Sequence, residues 1–241
     1  MNDTQIVTIA NRWPGESYYC YRELFKSVGS NEILVLGTEH GQYTGLSDKP
    51  RILYNAIKEG KITAKNIVFV DAFDVVFADT LEDVMFKFRI FECPIVIGAE
   101  KNCFPGNFKP EYDRLPATSN YKYLNSGVIV GETDAIMTVL EAMDAPNLPR
   151  DYHNPETGTN YHFNDQAYYM DLFLRQPVPM KLDYDCFIAQ NMQGVEEGEL
   201  DFSSVKIRNI ETNNYPSIIH WNGGSKDKWS MPVILKHLNL V

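Results

Sequence analysis

The chain has 241 residues, enough for one domain with a sizeable core, and its 44% hydrophobic and 22% charged residues are ordinary for a globular protein. A formal net charge of −10 opposes stable, non-specific binding to nucleic-acid phosphates. No run is apolar enough to span a membrane, and residues 1–5 (MNDTQ) enter a strand-like run without a basic, apolar leader, so a cytoplasmic location is the expectation.

Apolar runs at residues 5–9 and 32–36 predict two buried strands. Pro50 suits the first turn of a helix running toward Gly60. Residues 66–70 (NIVFV) form the clearest strand signal. Thr80 predicts an N-cap, with Leu81, Val84, Met85 and Phe88 following at helical spacing. Strands are expected at 94–98 (PIVIG) and 127–130 (GVIV). Between them, residues 101–123 carry Pro105, Pro110 and Pro116 and read as a long loop. Thr133 is expected to cap a helix bearing Ile136, Val139, Leu140 and Met143. A second long loop, 145–160, holds Pro146, Pro149, Pro155 and Gly158. Tyr168, Tyr169, Leu172 and Phe173 mark a helix after Asn164-Asp165, and residues 217–220 (SIIH) a late strand. This alternation predicts an α/β sandwich on a largely parallel sheet, with ligands outside the carboxyl ends of the strands. Cys20, Cys93, Cys103 and Cys186 form no CxxC pair, so reduced thiols are expected and zinc is not; a Cys93–Cys103 bridge stays open.

Four clusters could carry chemistry. In residues 67–74 (IVFVDAFD) an apolar strand ends in Asp71 and Asp74, which could share one Mn²⁺ or Mg²⁺ ion or merely cap a turn. In residues 218–226 (IIHWNGGSK) a strand delivers His220, a possible third metal ligand. Gly223 and Gly224 would let backbone amides approach a phosphate, and Lys226 could neutralise it. Asn125-Ser126-Gly127 could admit a ligand closely or form an ordinary turn. Asp165 could accept sugar hydroxyl hydrogen bonds or cap its helix. No P-loop, GxGxxG or GxSxG pattern is present.

Taken in order, FVDAFDVVFA (69–78), YLNSGVIVG (123–131), NDQAYYMDLFL (164–174), LDYDCFIAQNMQG (182–194) and VKIRNIETNNYPSIIHWNGGSK (205–226) resemble the glycosyltransferase domain of the procollagen lysyl hydroxylases. The likeness runs from about Val7 onward. It implies a GT-A fold over 1–241, a Rossmann-like α/β arrangement with a mixed, mostly parallel sheet. It also implies a UDP-sugar donor, UDP-glucose or UDP-galactose, with Mn²⁺. On this resemblance Asp71, Asp74 and His220 hold the metal, and Asn222, Gly223 and Lys226 lie beside the diphosphate. Asp165 serves the donor sugar and acceptor, Phe104 covers the site, and Ala10 lies near the uridine pocket. Asn125 belongs with the donor-binding residues. The chain departs from the family in having Asn164 where aspartates run, Phe104 for tryptophan, and Trp221 and Gly224 in the late motif. No hydroxylase segment accompanies the domain, so transfer without lysyl hydroxylation is expected, with retention the implied stereochemistry. The acceptor hydroxyl could sit on a glycan, a protein or a hydroxymethylated DNA base. The rival readings are a silent UDP-sugar-binding module and a metal-dependent phosphohydrolase.

Overall fold

The computed structural model describes residues 3–13, 18–39, 43–149, 151–153, 160–162, 164–227 and 229–241. Its strands are β1 (Thr4–Ile9), β2 (Ile33–Leu36), β3 (Asn66–Asp71), β4 (Val75–Phe77), β5 (Ile95–Glu100), β6 (Tyr123–Glu132), β7 (Asp151–His153), β8 (Asn160–His162), β9 (Met180–Asp183), β10 (Ala189–Asn191), β11 (Leu200–Asp201), β12 (Arg208–Asn209) and β13 (Ile218–His220). Its helices are α1 (Tyr21–Ser27), α2 (Asp48–Lys58), α3 (Leu81–Ile90), α4 (Lys109–Tyr112), α5 (Thr133–Ala142), α6 (Asp165–Arg175) and α7 (Ser230–His237).

The main sheet has the order β2-β1-β3-β6-β5-β9. β1 is parallel to β2 and β3, and β5 to β9, while β6 runs antiparallel to both its neighbours. This is the mixed, mostly parallel arrangement expected. Both faces are covered, which explains why the strands read as continuous apolar runs rather than alternating ones. Ile67 and Phe69 pack into one core cluster with Leu53 and Ile136 of the helices α2 and α5. Val68 and Val70 pack into another with Leu24 and Val84 of α1 and α3. A side-chain period of two sends successive residues to opposite faces. A smaller sheet, β10-β13-β4, joins residues far apart in sequence, with β13 parallel to β10 and antiparallel to β4.

Several local signals are realised. Thr80 Oγ1 accepts from the Asp83 N–H at 3.2 Å, capping α3. Pro50 lies in the first turn of α2, and Gly60 takes a left-handed φ of +71° just past its end. Thr133 is not a cap: it is the first residue of α5, and its hydroxyl donates to the Ala64 carbonyl at 2.7 Å. The segment 101–123 folds in part, with a 3₁₀ turn at Gly106–Phe108 leading into α4. In the second long loop, a 3₁₀ turn at Ala145–Asn147 is followed by β7, which pairs with β8. Pro155 and Gly158 lie outside the described residues, as do Met1 and Asn2. All four cysteines are free, so Cys93 and Cys103 are not bridged; their thiols face the carbonyls of Ile95 and Pro105. Among the described residues, no helix is long and apolar enough to cross a membrane.

Candidate active site

Asp71 ends β3 and Asp74 immediately precedes β4, so the Ala72-Phe73 turn lets both carboxylates converge. On an unbroken strand their side chains would diverge. His220 ends β13, in register with Val75 of β4 and Asn191 of β10. The Trp221 N–H donates to the Asp74 carbonyl at 2.8 Å, closing the same junction. His220 Nε2 thereby comes to 3.8 Å from Asp71 Oδ2 and 3.7 Å from Asp74 Oδ2. One ligand atom from each of the three lies within 4.8 Å of the others.

The neighbours of His220 settle which nitrogen faces the carboxylates. Asn191 Nδ2 donates to the Ala99 carbonyl at 2.8 Å, leaving Oδ1, 2.7 Å from His220 Nδ1, to act as acceptor. Nδ1 therefore carries a proton, and in the neutral imidazole Nε2 presents a lone pair. Nε2 is buried and has no hydrogen-bond partner. A lone pair facing two carboxylates is electrostatically unfavourable unless a cation joins them. Two carboxylate oxygens and one imidazole nitrogen form a donor set that fits Mn²⁺ or Mg²⁺.

Two lysines flank this triad. Lys226 Nζ lies 2.7 Å from Asp74 Oδ2. Burial raises the Asp74 pKa, but the neighbouring His220 and the Lys226 charge outweigh it and hold the carboxyl below its ordinary value. Lys49, in the first turn of α2, is buried; its Nζ bonds Asp71 and lies 3.9 Å from Asp165 Oδ2. Burial disfavours its charge, yet Asp71 and Asp165 overcome this and raise its pKa. Asp165 begins α6, and the cap of that helix is Asn164, whose side chain accepts from the Ala167 N–H at 3.2 Å. Asp165 itself accepts from Ser126 Oγ at 3.3 Å. Burial raises the Asp165 pKa; Lys49 opposes this, and the charge of Asp71 adds to it.

These residues line a cleft of about 570 Å³ at the carboxyl ends of β3 and β5. Asn125, Phe104, Asn222, Gly223 and Gly224 line it too. Glu100, the last residue of β5, organises its floor: Oε1 accepts from Asn125 Nδ2 at 2.9 Å and Gln166 Nε2 at 3.1 Å, and Oε2 from Asn222 Nδ2 at 2.9 Å. Burial raises its pKa, and those amide donors oppose the rise. Phe104 is 62% exposed at the rim. Gly223 takes a φ of +58°, which a glycine adopts without strain. Trp221 is fully buried and donates from Nε1 to Ser230 Oγ at 3.0 Å, so it anchors the motif to α7 and leaves the cleft to its neighbours. An adjoining recess of about 210 Å³ shares Lys49, Asp71, Asp74 and Lys226 with the cleft and is walled by Tyr18, Tyr19, Tyr43 and Phe73. Ala10 does not line either space; it is fully buried beside Tyr21 and Ala72 behind the recess.

Lys49, Glu100 and Asn191 escape a reading of the sequence alone. Glu100 did leave a trace, since it ends the apolar run 95–99 much as Asp71 ends β3. Nothing local distinguishes Lys49 from any lysine at a helix start.

A family model described as the PLOD GT domain matches residues 4–232. The multifunctional procollagen lysine hydroxylase and glycosyltransferase of Caenorhabditis elegans is 32% identical over 194 residues, covering 76% of this chain and 24% of that protein. The procollagen-lysine,2-oxoglutarate 5-dioxygenase of Drosophila melanogaster is 27% identical over 212 residues, covering 81% of this chain and 27% of the relative. The chain thus spans about a quarter of the length of these curated relatives. In fold it is similar to a glycosyltransferase involved in glycosylating the major capsid of PBCV-1, with a TM-score of 0.52, 13% identity and 99% of each chain covered. The chain therefore has a GT-A-type fold, belongs to the PLOD GT domain family, and is a glycosyltransferase domain.

Proposed function

We propose that this domain transfers a hexose, glucose or galactose, from a UDP-sugar to a hydroxyl acceptor, in a reaction that depends on a divalent cation. The observation that carries this reading is the buried, unpartnered Nε2 of His220, 3.7–3.8 Å from one oxygen each of Asp71 and Asp74. Asp71, Asp74 and His220 would hold the ion, and Mn²⁺ bound there would supply positive charge to the departing diphosphate.

The chain's own residues account for the rest. Breaking the bond between sugar C1 and the diphosphate oxygen leaves negative charge on the diphosphate. Lys226, whose side chain is 27% exposed at the cleft, is placed to meet that charge by leaving Asp74. The Gly223-Gly224 turn carries no side chain to hold a diphosphate off. The uracil ring fits the recess walled by Tyr18, Tyr43 and Phe73. Asp165, fixed between Lys49 and Ser126, orients a sugar hydroxyl at the floor of the cleft.

A panel of UDP-sugars with Mn²⁺, scored for UDP release with and without hydroxyl acceptors, tests this reading. Release is expected with UDP-glucose or UDP-galactose, abolished by a chelator, and lowered at least about a hundredfold in Asp71→Ala. Full activity in the chelated enzyme or in Asp71→Ala would overturn it.

A further inference from the structure

We infer that Asn164 is a specificity-determining residue: its Nδ2 donates a hydrogen bond to a hydroxyl oxygen of the transferred sugar. The inference rests on the UDP-sugar reading above and names the group that reads the sugar.

The orientation of the Asn164 amide is set by the helix it caps. Oδ1 accepts from the Ala167 N–H at 3.2 Å, so the other arm of the amide is the donor, Nδ2. Asn164 is only 6% exposed, and Nδ2 is buried without a hydrogen-bond partner. A buried amide N–H that has lost water and gained no acceptor is a standing cost to the fold. Asn164 lines the cleft beside Asp165, so a ligand there can supply the missing acceptor.

The chemistry of the wall selects the ligand. Asp165, the next residue, lines the same cleft and offers a carboxylate. A hydroxyl group satisfies both, donating its proton to Asp165 while its oxygen accepts from Nδ2. A diphosphate oxygen accepts but cannot donate, and it would meet the Asp165 charge. The nucleobase is excluded by position, because the aromatic recess is not lined by Asn164. A polyol ring attached to the diphosphate remains.

Asn164→Asp and Asn164→Ser test this, because both side chains cap a helix start well and neither places an amide donor in the cleft. Affinities for UDP, UDP-glucose, UDP-galactose and their monodeoxy analogues are measured by calorimetry with Mn²⁺, alongside thermal melting. The wild type is expected to bind one deoxy analogue at least about tenfold more weakly than its parent. Both variants should bind UDP as the wild type does, bind the parent sugar nucleotide about tenfold more weakly, and no longer distinguish that analogue. Variants that keep the discrimination, or that lose UDP affinity in equal measure, overturn the inference. A wild type that binds UDP but treats every deoxy analogue like its parent overturns it too. A wild type that binds no UDP overturns the donor reading itself, and this inference with it.

Discussion

A methyl group on Gly127 would stand 2.1 Å from Cε1 of His220. Strand β6 leaves out a side chain where the imidazole of β13 needs the room. The glycine is thus required by space rather than by backbone conformation, and the group that approaches it closely is a ligand residue of the proposed metal site. Gly127→Ala should push His220 away from Asp71 and Asp74. Mn²⁺ affinity measured by calorimetry is expected to fall at least about tenfold, with stability reduced by about 1–3 kcal/mol from overpacking.

Lys49 neutralises Asp71 and Asp165 from within the fold. Removing it leaves the buried Asp165 carboxylate and the partly exposed Asp71 carboxylate without the charge they share. Lys49→Met should destabilise the metal-free protein by about 3–5 kcal/mol in chemical denaturation. Mn²⁺ replaces part of the missing charge, so the rise in Tm on adding it should be larger in the variant than in the wild type. An equal rise would show that Lys49 and the cation do not share the charge of Asp71.

Glu100 accepts from three side-chain amides, and each of those amides belongs to a residue lining the cleft. Glu100→Gln sets an NH₂ group against one of those donors at nearly constant volume. The expected cost is about 1–3 kcal/mol in urea unfolding. Because Asn222 loses its anchor, UDP affinity should fall as well. Unchanged UDP binding would confine Glu100 to stabilising the cleft floor.

Asp183 ends β9 and accepts from the N–H groups of Phe187, Ile188 and Ala189 at 2.7–2.8 Å. Burial nevertheless pushes its pKa up from 3.8 to about 6, against those three donors. Between these values the folded chain keeps a proton that the unfolded chain has released. Asp183 therefore favours the fold most below its unfolded pKa, and its contribution declines as pH rises through about 6. Melting curves from pH 4 to pH 7.5 should show this decline in the wild type relative to Asp183→Asn, which has no such titration. The variant itself should be less stable by about 1–3 kcal/mol, since its NH₂ group faces a backbone donor. Parallel profiles for the two proteins would refute the assignment.

The layering, and two of the three residues of the proposed metal site, can be read from local patterns in the chain. Runs such as Ile67–Val70 and Ile95–Ile97 are apolar at every position because their strands are covered on both faces, and that local pattern survives without knowledge of the partners. The Asp71–Asp74 pair is legible for a related reason: charge that interrupts such a run marks the carboxyl end of the strand. Thr80 as a cap was equally legible, because capping is a contact between near neighbours. Thr133 shows the limit, since its hydroxyl found a carbonyl 69 positions away instead of its own helix. The fold is needed to show that His220 meets the pair, that Gly127 makes room for it, and that Asn191 holds its Nδ1 proton. It was needed too to show that Lys49 and Glu100 belong to the cleft. Each of these depends on strand register or on packing between distant segments, and neither leaves a period in the sequence.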